Sequence, residues 1–309
     1  MTSKVVRYAQ AGAISLILFA GVLWVAMQQD INLSDIRPGL LIPAVFAYSL
    51  VLVCRAAIFR LLSSSGAQHP FQTWLSLAAR HQLVFIISPS GAGDLAFPVL
   101  ARRMVGLKTL TASRLIVEAR LRDIFAVLAL GCAGLAGTGH MPVLALAGML
   151  LCFFALYWSE VSVRAVTALL RRFRRTRDID TPLEKSTKQD VTVSFARRVC
   201  LTALTLSLWG SASGGVFSGF YAAGYPLSLM ESWVMLAGLN VAGALALSLA
   251  GFGVTEAGAA GVLVFLGLPF STAAAIAIIA RPMLLLSNCL AIALVELLAR
   301  VLGAGGRSI

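Results

Sequence analysis

Four charged residues stand where the surrounding chain is apolar enough to cross a membrane. Asp94 and Glu256 each follow a glycine-rich stretch, "SPSGAGD" and "GFGVTE", while Arg120 and Arg281 each sit inside a long apolar run. An acid just inside a helix that starts after such glycines can cap free N–H groups and complement the positive helix end. It can also contact a cationic headgroup, a coupling ion, or one of the buried arginines. A guanidinium at mid-bilayer costs roughly 2.5 to 3.5 kcal/mol on insertion scales, so each arginine is expected to face an acid, an anionic group or water.

The spacing of these residues recurs. Asp94 stands 12 residues before Gly106, and Gly106 stands 14 before Arg120; Glu256 stands 11 before Gly267, and Gly267 stands 14 before Arg281. Each copy reads Gly-x-Gly, an acid, a short apolar helix, Gly-Leu, then a long helix with an arginine in mid-span. Residues 71–136 and 229–298 are therefore expected to be internal repeats, with re-entrant turns at Ser90, Gly91 and Gly93 in the first and Gly251, Gly253 and Thr255 in the second.

The first long helix carries further charge in "SRLIVEARLRD". Arg114, Glu118 and Arg122 lie four apart on one stripe, and Arg120 and Asp123 share another face at spacing three. Two acids cannot neutralise three arginines, which leaves one positive charge over. Arg281 has no acid ahead of it on its own helix until Glu296. Its expected partner is Asp94, Glu256 or Glu118, or an anionic group. Pro282 removes a backbone donor and leaves the carbonyl of Ile278 without its helical partner, which favours a kink there.

The elements that hold these residues follow from composition. Of 309 residues, 59% are hydrophobic and 12% charged, with a mean hydropathy of +0.89. A soluble domain of this length does not bury that much apolar surface. Crossing hydrocarbon takes about 20 apolar residues, and such segments run near 9–27, 40–59, 110–136, 142–163, 199–222 and 271–298. Lys4 and Arg7 precede the first, but no small-residue cleavage pattern follows it, so it reads as a span and not a signal peptide. Two further stretches, near 71–101 and 229–267, are broken in the middle and suit hairpins that dip in and return.

The expected fold is an all-α polytopic membrane protein, a single transmembrane domain over 1–309. It has about six full transmembrane helices plus two re-entrant helical hairpins in an inverted repeat. "ARRMVGLK" after the first hairpin is basic and "GLPFS" after the second is uncharged, so the hairpins should open on opposite faces. Non-helical backbone at membrane depth survives only when buried in protein or lining a wet cavity, so two breaks imply a cavity between them.

The formal net charge of +12 raises the question of nucleic acid. With both termini cytoplasmic, this topology assigns eighteen of the 25 basic residues to the cytoplasmic side, only Arg37 to the outer side, and six (Arg55, Arg80, Arg114, Arg120, Arg122, Arg281) to apolar stretches. The positive-inside rule accounts for most of the charge without nucleic acid. Residues 164–198 form a basic cytoplasmic loop whose arginines would also attract anionic lipid. The five cysteines and three histidines show no disulfide or metal-ligand spacing. "GSASGG" and "GAAG" suit close helix packing; without a following Gly-Lys-Ser/Thr they are not phosphate loops. No metal or other cofactor is expected.

With "SPSGAGDLAFPVLARRMVGL", "VEARLRD", "GFGVTEAGAAGVLVFLGLP" and "AIIARPMLLL", the chain resembles the transmembrane region of the lysylphosphatidylglycerol synthase/flippase family over nearly its whole length. The family's charged helix usually reads Glu-Arg-x-x-Asp. Arg120 and Asp123 match it, while the glutamate is displaced to Glu118 with Ala119 in its place. The resemblance implies re-entrant helices, a bacterial inner-membrane location and, in many members, a homodimer. The soluble aminoacyl-transferase domain of full synthases has no counterpart in these residues, so lipid aminoacylation is not expected.

The expected function is movement of a polar-headgroup lipid between leaflets. Candidate lipids are anionic or aminoacylated phospholipids and polyprenyl-phosphate-linked lipids. Asp94, Glu118, Arg120, Asp123, Glu256 and Arg281 are the candidate headgroup-binding residues. Two alternatives remain open: an intramembrane headgroup transferase, and a scaffold for envelope-assembly enzymes.

Overall fold

Hydrocarbon offers no hydrogen bonds to backbone N–H and C=O groups, so a chain of this composition satisfies them within helices. The computed structural model describes residues 16–27, 36–63, 68–88, 92–159, 194–245 and 252–305, and among them no strand occurs. In chain order the helices are α1 (Leu16–Ala26), α2 (Leu41–Leu62), α3 (Phe71–Ile87), α4 (Ala92–Val105) and α5 (Thr109–Gly137). Then follow α6 (Pro142–Tyr157), α7 (Phe195–Ala222), α8 (Leu229–Leu245), α9 (Val254–Phe265) and α10 (Phe270–Gly305).

Among the described residues, three helices are both long and apolar enough to span a bilayer: α2 with its 3-10 lead-in from Pro38, α7 and α10. At 29 residues α5 has the length, but its charges fall within the stretch from Arg114 to Asp123. The described parts of the first and fourth expected spans, α1 and α6, are shorter than the sequence suggested. Most of the basic loop 164–198 lies outside the described residues, as do Ser90, Gly91 and Gly251. α10 runs through Pro282 without interruption in its helical assignment.

Helices α2 and α7 lie side by side and antiparallel. The N–H of Arg37 donates to the carbonyl of Ala222 at one end (2.9 Å), and the guanidinium of Arg197 donates to the carbonyl of Leu61 at the other. The second of these ends gathers Arg60, Arg102, Arg103, Lys108, Arg197, Arg198 and Arg300. The first holds only Arg37 among the described basic residues. Aromatic rings receive cations at both ends, with Arg198 4.8 Å from the ring centre of Trp158 and Arg37 5.5 Å from that of Tyr221.

The two broken stretches form helix pairs, α3/α4 and α8/α9, each followed by a long helix. A 17-residue helix spans about 26 Å and the returning helices of 14 and 12 residues about 21 and 18 Å. All fall short of a hydrocarbon core of about 30 Å. The open end of α3/α4 sits at the basic end of the bundle, where Ser76 and Arg80 of α3 bond Glu296 near the end of α10. The open end of α8/α9 sits at the opposite end, where Met230 and Val234 of α8 meet Gly137 and Gly134 near the end of α5. Each pair thus lays its first helix against the long helix of the other copy.

Close approach is possible because small residues line the seams. A Cβ at Gly93 would stand 2.5 Å from the backbone Cα of Phe85, so only glycine lets α4 lie this near α3. In the second pair Gly258 and Gly238 face Ala242 and Val262 in the same way, and Gly131, Gly134 and Gly137 form a stripe of α5 that receives α8. Both short helices end at left-handed glycines, Gly106 (φ 63°) and Gly267 (φ 102°), which explains the repeated Gly-Leu. Large apolar side chains left on the outside, such as Val143 on α6 and Ile42 on α2, are the surface suited to acyl chains.

Candidate functional site

The two helix pairs and the long helices after them carry their acids and arginines at matching positions. Asp94 is the third residue of α4 and Glu256 the third of α9. Arg120 is the twelfth residue of α5 and Arg281 the twelfth of α10. In both copies the acid of the short helix meets the arginine of the long one. Twelve residues of helix rise about 17 Å, and the two long helices start at opposite ends of the bundle, so both pairs lie near its middle.

In the first copy the pair is closed. Arg120 Nε donates to both oxygens of Asp94 (3.0 and 2.8 Å) and Nη2 donates to Oδ1 (2.7 Å). Arg120 Nη1 reaches on to Asp123 at 3.2 Å, and Arg55 of α2 donates to both Asp123 oxygens at 3.0 and 2.8 Å. The indole N–H of Trp209 on α7 donates to Asp123 Oδ1 at 2.9 Å, and His81 on α3 lies 3.2 Å from Asp94 Oδ1. Two acids therefore balance two arginines, with Phe85 4.5 Å from the Arg120 guanidinium as a further face. A buried pair of this kind is fixed less by net attraction than by the cost of leaving either member alone.

In the second copy the pair is loose. Glu256 has a fully buried side chain, and its Oε2 accepts the backbone N–H of Gly253 (2.7 Å) and the hydroxyl of Thr255 (3.1 Å). This realises the expected N-terminal cap, with Gly253 at φ 84° making the turn. The other oxygen, Oε1, lies 3.5 Å from Arg281 Nε and makes no hydrogen bond. Both residues face a cavity of about 10 Å³, the size of one water, walled by Phe220, Leu239, Ala259 and Leu284. Tyr48 of α2, buried against Gly215, lies within electrostatic reach of Arg281. Seven residues, about 10 Å of helix, separate it from Arg55 in the first network.

The structure brings Asp94, Arg120 and Asp123 into one cluster and Glu256, Thr255 and Arg281 into another. Glu118 belongs to neither cluster, its Oε1 lying 3.7 Å from Nη2 of the buried Arg122 one turn along α5. Gly93 and Gly253 are buried at the helix starts. Sequence reasoning gave no role to Arg55, His81 or Trp209. The signal for Arg55 was its position inside an apolar span, which demands a partner without naming one. The same holds for Arg80, which joins Ser76 and Arg300 on Glu296 at the basic end. Among the described residues, no three His, Cys, Asp or Glu side chains group as a metal site.

No curated protein and no solved structure matches the chain. The family model described as the lysylphosphatidylglycerol synthase TM region matches residues 9–290. With apolar helices throughout and most of its length within that match, this chain is a multi-pass helical membrane protein belonging to the lysylphosphatidylglycerol synthase transmembrane-region family.

Proposed function

We propose that this protein moves a phosphate-bearing, polar-headgroup lipid between the leaflets of a bacterial inner membrane, with Arg281 binding the phosphate. The observation that carries this reading is the loose Glu256–Arg281 pair at a cavity near mid-bundle, in a family tied by its name to a modified phospholipid. A guanidinium offers phosphate a planar fork of donors. Every N–H group of Arg120 that reaches an acid is engaged by Asp94 or Asp123. Of the candidate residues, the second copy is thus the better placed to exchange its acid for a ligand, and the first to hold the fold.

In this reading the two helix pairs are re-entrant hairpins of an inverted repeat, the basic end is cytoplasmic, and six further helices span the membrane. Support comes from the short helices, the one-ended basic charge and the opposed open ends. Alternating access then comes from one hairpin yielding at a time around the midplane. Single cysteines placed at Lys108 and at Pro269 in an otherwise cysteine-free protein test this topology. A membrane-impermeant maleimide should label them from opposite faces of the membrane; labelling from one face would refute the inverted arrangement.

The function itself is tested by leaflet exchange of headgroup-labelled anionic and zwitterionic phospholipids in liposomes holding the purified protein. Exchange of phosphate-bearing lipid above that of protein-free liposomes is expected. Absence of exchange for every lipid, with and without an ion gradient, would overturn the reading.

A further inference from the structure

Glu256 is a carboxylate with one oxygen committed and one in waiting. Its Oε2 is held by Gly253 N–H and Thr255, while Oε1, buried and without a hydrogen bond, looks across 3.5 Å to Arg281 and into the cavity. The matching acid, Asp94, has both oxygens bonded to Arg120. The groups facing Glu256 are few. From α10 comes Arg281, from its own helix Thr255, and from α2 Tyr48 lies beyond Arg281. The described walls from α7 and α8 are Phe220 and Leu239, and the described residues 16–27 of α1 are apolar except for small Gly21. Glu231 of α8 sits at that helix's outer start, far along from the cavity.

We infer that Glu256 takes up a proton on Oε1 when Arg281 engages an anionic phosphate, so that anion binding and proton binding at this site are linked. This rests on the reading of Arg281 as the phosphate-binding residue. Arg281 is the one cation facing Glu256 among the described residues, and turning it to a ligand leaves a fully buried carboxylate without a counter-charge. A buried charge in that position neutralises rather than persists. A proton from the aqueous phase, handed over by hydronium that becomes water, adds to one carboxylate oxygen to give a neutral acid. Arg281 stays cationic against the phosphate, and no other bond forms or breaks. The cavity has room for the single water that would deliver the proton. On release of the anion the proton leaves and Glu256 and Arg281 pair again.

The linkage has a defined sign. A state that binds one more proton is favoured at low pH, so affinity for the anion falls as pH rises, by up to about tenfold per pH unit. The test uses full-length protein in detergent, titrated with short-chain phosphatidylglycerol and, separately, with inorganic phosphate, at several pH values. Proton uptake is followed by an indicator dye in weak buffer. Wild type should take up close to one proton per phosphatidylglycerol bound, and Glu256→Gln should bind phosphatidylglycerol with no uptake and a pH-independent affinity; inorganic phosphate, which titrates near neutral pH itself, is read as the difference between wild type and Glu256→Gln. Uptake with both anions would assign the site to phosphate in general, and uptake with the lipid alone to a lipid pathway; either supports the linkage. Binding by wild type without uptake overturns it while leaving the lipid-transport reading intact. Uptake that persists in a folded Glu256→Gln protein also overturns it, and wild-type uptake decides the matter if that variant does not fold. Failure of both anions to bind overturns the phosphate reading and the linkage together.

Discussion

Asp123→Asn is expected to destabilise the protein by about 3 to 5 kcal/mol, the cost of breaking a buried ion pair from one side. Asp123 takes hydrogen bonds from Arg55, Arg120 and Trp209, so it joins α2, α5 and α7 at one point. Its side chain and that of Arg55 are only 6% and 10% exposed, and without the carboxylate Arg55 remains in a site from which water is largely excluded. Arg120 keeps Asp94, so the loss falls chiefly on Arg55. Unfolding in detergent micelles, followed by circular dichroism, measures it. The double replacement Arg55→Met with Asp123→Leu should regain most of the loss, since an apolar pair of similar volume often matches a buried ion pair. A single variant that unfolds with wild type would show that the network does not hold these helices together.

Arg281→Ala should reduce protein-dependent exchange of anionic lipid by roughly 30-fold or more. Truncating one member of a buried charged contact costs about 2 to 5 kcal/mol, and each 1.4 kcal/mol is a factor of about ten. The variant also strands Glu256, so Arg281→Ala combined with Glu256→Gln serves to keep the fold, and it should be equally inactive. Arg80→Ala is the contrasting case. Arg80 is 49% exposed and meets Glu296 at the end of the bundle, so its loss should cost no more than about 1 kcal/mol of stability and leave exchange near wild type. Equal losses for Arg80→Ala and Arg281→Ala would mean that mid-bundle position gives Arg281 no special part in transport.

The contrast between the two acid–arginine pairs has a local origin. Asp94 gives both oxygens to Arg120. Glu256 spends Oε2 on the Gly253 N–H and on Thr255, which turns it partly away from Arg281. An acid that caps its helix is a poorer partner for an arginine across the bundle, so one copy is closed and the other poised.

From the chain by itself one could read the class of protein, the breaks near 89 and 250, the matched acids and arginines, and the collection of basic charge at one end. These are properties of local hydropathy, of glycine placement and of short spacings, and the thickness of a bilayer sets the lengths directly. The pairings i to i+3 and i to i+4 on α5, Arg120 with Asp123 and Glu118 with Arg122, were legible for the same reason. Partner choice between helices was legible only in part, for Arg281, whose three candidate acids include the Glu256 it meets. Arg55 is 68 residues from Asp123, Trp209 is 86 from it, and Arg80 is 216 from Glu296. A charge inside an apolar run states that a partner is needed, but its identity depends on which helices the small-residue seams allow to touch and at what rotation. Those packing choices gather Arg55, His81 and Trp209 around the first pair, leave Oε1 of Glu256 facing a cavity, and so make two nearly identical motifs chemically unequal.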